Sequence, residues 1–221
     1  MERKNLWQTY SEAQIRELEE VNAQYRTCLD EGKTERECVK KTIELAEAEG
    51  YRNMKDLIKA GTKIHAGDKV YMDYMGKAIV LFQAGTAPVE EGMNILGAHI
   101  DSPRIDVKQN PLYENEGLAY LDTHYYGGVK KYQWTTTPLA IHGVVAKKDG
   151  TVVSVTVGED ESDPIFCVTD LLVHLSADQM KKPLAEGVTG ENLRVLLGSR
   201  PLTDDEGGDR VKFAVMCLLH E

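Results

Sequence analysis

The residues best suited to chemistry in this sequence are His99 and Asp101, two apart in the run Gly97-Ala98-His99-Ile100-Asp101-Ser102-Pro103-Arg104-Ile105-Asp106. In extended backbone, residues i and i+2 point to the same side. A neutral imidazole binds a divalent cation through one nitrogen and needs its other N–H held by an acceptor. Asp101 is spaced to be that acceptor, so the pair reads as the first piece of a metal centre. The plainer alternative is a strand-end histidine bonded to a loop, because an H-x-D pair alone is a weak motif. One histidine does not complete a metal site. Catalytic zinc takes three protein ligands, and a two-metal site needs more, including a bridging carboxylate.

The other five histidines, His65, His124, His142, His174 and His220, show neither H-E-x-x-H nor H-x3–5-H spacing. His142 sits in a strand-like run and reads as structural. His124, beside Tyr125-Tyr126-Gly127-Gly128, falls in a loop-like stretch and stays open as a candidate. The run from Gly61 to Lys69 has the look of a phosphate loop. Its spacing is one residue too long, and Asp68 stands where an anion cradle would not put a carboxylate. No G-x-S-x-G element and no reactive-cysteine context is present, so serine or cysteine nucleophile chemistry has no support.

The elements that must position the pair come next. Ser11-Glu12-Ala13-Gln14 and Thr34-Glu35-Arg36-Glu37 have capping-box form, and each precedes an amphipathic stripe. They predict two helices, the second ended by Gly50. Lys69 to Met75 and Ala78 to Ala84 predict a hairpin around Gly76-Lys77. Met93 to Ala98 is a short apolar run with the signature of a buried strand, which would put His99 at a strand's carboxyl end, where open α/β sheets bind ligands. After Pro103 the composition shifts to strand and turn signals. Ile105 to Lys108, Gly117 to Thr123, and a hairpin about Asp149-Gly150 are expected strands. Thr169 to about Lys181, and Asp209 to Glu221, are expected helices.

Bulk composition narrows the function classes. The 221 residues carry 42% hydrophobic and 28% charged side chains, ordinary values for a folded globular chain. A net charge of −10 leaves no basic excess to neutralise phosphates, which argues against nucleic acid and anionic membrane as partners. Met1-Glu2-Arg3-Lys4-Asn5 leads into no apolar core, and no long apolar run follows elsewhere, so neither a signal peptide nor a membrane span is expected. Cys28, Cys38, Cys167 and Cys217 are scattered without a C-x-x-C pair, which suits reduced thiols in a cytoplasmic protein.

The run around His99 resembles the first metal-binding segment of the aspartyl aminopeptidase, or aminopeptidase I, family of zinc metallopeptidases. The resemblance continues through Asn110-Pro111-Leu112-Tyr113, Thr123-His124-Tyr125-Tyr126-Gly127-Gly128 and Lys130-Lys131-Tyr132-Gln133-Trp134. It extends through Ile141-His142-Gly143-Val144-Val145, Gly158-Glu159-Asp160-Glu161, Thr169-Asp170-Leu171-Leu172, Gly190-Glu191-Asn192-Leu193 and Gly198-Ser199-Arg200-Pro201. It covers nearly the whole chain.

The resemblance implies an α/β fold in which residues 1–103 form the N-terminal part of a zinc-peptidase domain. Residues 104–221 would then be an inserted β-rich dimerisation domain, expected to be incomplete. It implies that His99 is the first zinc ligand and that Asp101 orients it. A histidine of the inserted domain is implied to reach a partner subunit's active site and stabilise the oxyanion, and His174 in Asp170-Leu171-Leu172-Val173-His174-Leu175 is the match. The implied activity is removal of N-terminal residues, acidic ones by the family's name, from peptides by a cytoplasmic homo-oligomer using two divalent metals.

Family members are nearly twice this length. Their bridging aspartate, paired glutamates, further carboxylate and final histidine follow the inserted domain, and none is found here. The acidic clusters Asp204-Asp205-Glu206 and Glu159-Asp160-Glu161 do not match them. The expectation is a polypeptide with little or no peptidase activity by itself. The alternatives are a non-catalytic dimerisation or assembly module, or one half of a split-gene enzyme.

Overall fold

A computed structural model describes residues 4–203 and 207–220, with the side chains of residues 219 and 220 excepted. Met1-Glu2-Arg3 and the cluster Asp204-Asp205-Glu206 lie outside the described residues. The fold is mixed α/β, and the chain divides into two units, Met1–Ser102 and Pro103–Glu221.

In the first unit both capping boxes form. The Ser11 hydroxyl accepts the Gln14 N–H while the Ser11 N–H donates to the Gln14 side chain, and Thr34 and Glu37 repeat the exchange. They start α1 (Glu12–Glu31) and α2 (Glu35–Ala48), the second closed by Gly50 at φ 85°. Next come β1 (Arg52–Asn53), α3 (Met54–Lys59), β2 (Lys69–Tyr74) and β3 (Ala78–Gln83). They make a sheet of order β1-β2-β3, with β1 parallel and β3 antiparallel to β2.

The expected hairpin is present, with its turn one residue earlier than the sequence suggests. Met75 and Gly76 both take positive φ, 57° and 65°, and Lys77 N–H donates to the Tyr74 carbonyl. This type I′ geometry matches the strand twist; glycine adopts it freely, whereas Met75 bears the strain of a side chain at positive φ. Tyr71, buried, ties the sheet to α2 by donating its hydroxyl to Glu47 Oε1 at 2.6 Å. That bond to a carboxylate, aided by burial, holds the Tyr71 pKa above its ordinary value.

Residues 93–98 do not form the expected buried strand. They have no regular secondary structure and are exposed, Leu96 to 99%. A strand that is apolar on both faces needs a neighbour to take its N–H and C=O groups and layers on either side. Among the described residues no strand pairs with this segment.

The second unit opens with one long hairpin, β4 (Arg104–Asn115) and β5 (Leu118–Tyr126), where two short strands were expected. Its register shifts between Val107 and Leu112, the stretch that contains Pro111, which has no N–H to give the ladder. His124 lies within β5, opposite Asp106, and not in a loop. After β6 (Ile141–Ala146) and β7 (Val152–Val157), which pair around the expected Asp149-Gly150 turn, come β8 (Cys167–Val168), α4 (Ala177–Met180) and α5 (Leu184–Gly187). β9 (Val195–Gly198) and α6 (Arg210–His220) complete the unit.

β9 inserts between β5 and β8, giving an antiparallel sheet of order β4-β5-β9-β8. The core forms where Ala119 and Leu121 of β5 meet Phe166, Val168, Leu193, Val195 and Leu197, closed by Val211 and Val215 of α6. The Thr123 hydroxyl donates to the Leu193 carbonyl inside this core. Glu114 of β4 accepts the N–H groups of Val211 and Lys212 at 2.8 and 2.9 Å, and so caps the start of α6.

Candidate functional site

His99 and Asp101 sit in the irregular segment that leads out of the first unit, so no strand or helix positions them. They meet nonetheless. His99 Nδ1 lies 3.0 Å from the Asp101 carbonyl oxygen and 3.3 Å from Asp101 Oδ1. Both partners only accept, so Nδ1 must carry a proton. The lone pair of the neutral ring is then left on Nε2. The imidazole is 85% exposed. An oriented, accessible imidazole with a free Nε2 lone pair and a carboxylate behind it is what a zinc ligand needs. The chain goes no further: among the described residues no group of three or more His, Cys, Asp or Glu side chains could hold a metal ion.

His174 lies in the second unit on an exposed turn, Val173–Leu175, and the helix expected from Thr169 shrinks to the single turn of α4. Local side-chain bonds compete with a helix here. Asp170 Oδ1 accepts the N–H of Leu171 at 2.8 Å and the amide of Gln179 at 3.0 Å, and the Ser176 hydroxyl donates to the Val173 carbonyl. The flanking Leu171, Leu172, Val173 and Leu175 are all exposed, so no buried stripe favours a helix. His142, read as structural, is partly buried in β6, with Nε2 2.8 Å from Glu159 Oε1. Glu159 of the second acidic cluster is thereby committed to a structural contact.

Sequence reasoning missed one feature. A cavity of about 330 Å³ in the second unit is lined by Tyr113, Tyr120, Asp170, Gln179 and Arg194, among others. Tyr113 and Tyr120 stack with centroids 5.6 Å apart, and the Arg194 guanidinium lies 5.8 Å from the Tyr113 ring centre. Burial pushes the Tyr113 hydroxyl pKa up. The lining residues come from stretches scattered between Tyr113 and Arg194, so no local pattern announces the cavity. It adjoins the His174 turn through Asp170 and Leu171.

The family model of the aminopeptidase I zinc metalloproteases (M18) matches residues 28–221, and the chain belongs to that family. A probable M18 family aminopeptidase 1 of Clostridium acetobutylicum is 50% identical over 220 residues, covering 100% of this chain and 47% of the relative. The crystal structure of an M18 family aminopeptidase from Thermotoga maritima superposes with a TM-score of 0.89 at 38% identity, over 100% of this chain and 46% of that one. A dodecameric structure from S. cerevisiae shares the fold at a TM-score of 0.61 and 21% identity, over 86% of this chain and 40% of that one. The chain thus spans about half the length of the curated relatives it matches.

Proposed function

We propose that this chain supplies part of a zinc aminopeptidase that removes N-terminal residues, acidic ones by preference, from peptides. Residues 1–102 belong to the catalytic α/β domain, and residues from 103 onward form a β-rich domain inserted into it that pairs subunits. His99 contributes Nε2 as one zinc ligand, and Asp101 holds its tautomer and orientation. His174, presented to solvent on its apolar turn, hydrogen-bonds the developing oxyanion in the site of a partner subunit. When bound, zinc supplies Lewis-acid charge at the scissile carbonyl and makes water acidic enough to yield the nucleophile. The remaining ligands and the general base come from outside residues 1–221, so the chain alone does not turn over peptides.

The observation that carries this reading is the Nδ1 contact of His99 with Asp101 in a chain of this family. The test is a chimaera in which the 221 residues replace the matching segment of the Clostridium relative. Zinc-dependent release of N-terminal residues is expected. His99→Ala should abolish it, and Asp101→Ala should weaken zinc binding about 10–100-fold. A folded chimaera that binds no zinc, or one indifferent to His99→Ala, overturns the assignment, as does zinc-dependent turnover by the chain alone. A second reading, an assembly module that pairs without chemistry, draws on the exposed Leu171, Leu172, Val173 and Leu175. A metal-free dimer in solution together with an inert chimaera would favour it.

A further inference from the structure

The link between α1 and α2 gathers two thiols that no local motif joins. From Glu19 to Glu31 every residue of α1 is exposed except Cys28, which is half-buried. Among the described residues α2 is the element that packs along α1, so Cys28 lies on the face turned to α2. Cys38 answers from the first turns of α2. Its thiol donates to the Gly32 carbonyl, with sulfur and oxygen 3.5 Å apart. Gly32 in turn donates its N–H to the Cys28 carbonyl at 3.0 Å, so it continues the Cys28 face of α1 one turn on. A Cβ at position 32 would stand 2.9 Å from Cys38 Sγ and 2.8 Å from the Cys28 carbonyl oxygen. Glycine thus leaves the space that the sulfur occupies, beside the backbone of Cys28.

The two cysteines stand equally far from Lys33, at the tip of the link, and therefore at matching heights in a hairpin of antiparallel helices. A Lys41–Glu31 ion pair crosses the same hairpin. Burial first, then the charges of Glu37, Cys28 and Glu35, push the Cys38 pKa up. A charge on Cys28 that opposes ionisation of Cys38 means that the sulfurs are near each other. Both are free thiols in the structure, as are Cys167 and Cys217, which belong to the second unit.

We propose that Cys28 and Cys38 close a reversible disulfide that clasps α1 to α2, with hydrogen peroxide as the oxidant. The Cys28 thiolate attacks one peroxide oxygen. An S–O bond forms, the O–O bond breaks, and the departing hydroxide takes up a proton and leaves as water. Cys28 is then a sulfenic acid. Cys38 gives its proton to solvent, and its thiolate attacks the sulfenic sulfur. The S–S bond forms, the S–O bond breaks, and a second water leaves. Two thiols thus lose two electrons and two protons to one peroxide, and a dithiol reductant reverses the result. Cys28 is oxidised first because reactivity follows the thiolate, and Cys38 holds its proton. Closure limits the unfolded chain and so stabilises the first unit, whose buried apolar residues are few among those described. The clasp is independent of the zinc chemistry proposed above.

The test treats the reduced 221-residue chain with hydrogen peroxide under native conditions, blocks the remaining thiols with N-ethylmaleimide and maps its peptides by mass spectrometry. A peptide pair joined through Cys28 and Cys38, lighter by two hydrogens, should be the main disulfide product, and dithiothreitol should remove it. The oxidised chain should melt about 5 °C or more above the reduced one. In Cys38→Ser, dimedone should trap Cys28 as a sulfenic acid about tenfold more than it traps Cys38 in Cys28→Ser. Disulfides that join other cysteines, oxidation of Cys28 to a sulfinic acid without closure, or a bridged chain that melts no higher than the reduced one would each overturn the proposal. Equal trapping of the two cysteines would overturn the order of attack.

Discussion

At the scale of single residues, the state of one proton decides whether His99 can serve a metal. An imidazole with acceptors at Nδ1 is forced into the Nδ1–H tautomer, whereas a solvated imidazole is free to take either. Two acceptors from one residue, at 3.0 and 3.3 Å, do this in the chain even without a metal. Nitrogen-15 spectra of the neutral ring should therefore show Nδ1–H as the main tautomer of His99. In Asp101→Ala the carboxylate is gone but the backbone carbonyl at 3.0 Å remains, so Nδ1–H should stay the main tautomer with a smaller excess over Nε2–H. A dominant Nε2–H form in the unsubstituted chain would mean that Nε2 is not offered as a ligand. The pairing was legible in the sequence because an i, i+2 relation is local. The exposure of the ring was not, because it depends on what lies around residues 93–98.

Among the elements, α6 depends on a residue far away in sequence. A helix start leaves backbone N–H groups without intrahelical acceptors and carries partial positive charge. Glu114 answers both needs from β4, with one carboxylate oxygen serving Val211 and Lys212. Glu114→Ala should cost the second unit about 1–2 kcal/mol. Glu114→Gln, which keeps an acceptor but not the charge, should recover part of it. Thermal unfolding of the three proteins measures this, and an alanine variant as stable as the parent would refute the capping role. The caps of α1 and α2 could be read from four consecutive residues, but this one joins positions 97 and 98 apart. Two other expectations failed for related reasons. The run 93–98 has strand composition without a strand beside it, and the run from Thr169 has helical spacing while Asp170 and Ser176 bond the backbone locally.

For the whole molecule, burial is divided unequally between the two units. Among the described residues the first buries only Val39, Ala46, Val70 and Tyr71 as apolar core, whereas the second builds a cluster around Phe166, Val168 and Leu193. The division near residue 103 was visible as a change in composition, but this imbalance was not, because the apolar runs of the first unit look like ordinary core in sequence. Local stability follows buried contacts, so the two units should open with different free energies. Amide hydrogen exchange should give the slowest rates in β5 and β9, at residues such as Leu121 and Leu197. The edge strand β3 and residues 93–98 should exchange within the first time points, and slow exchange throughout β3 in the isolated chain would mean that four buried apolar side chains suffice to hold the first unit closed.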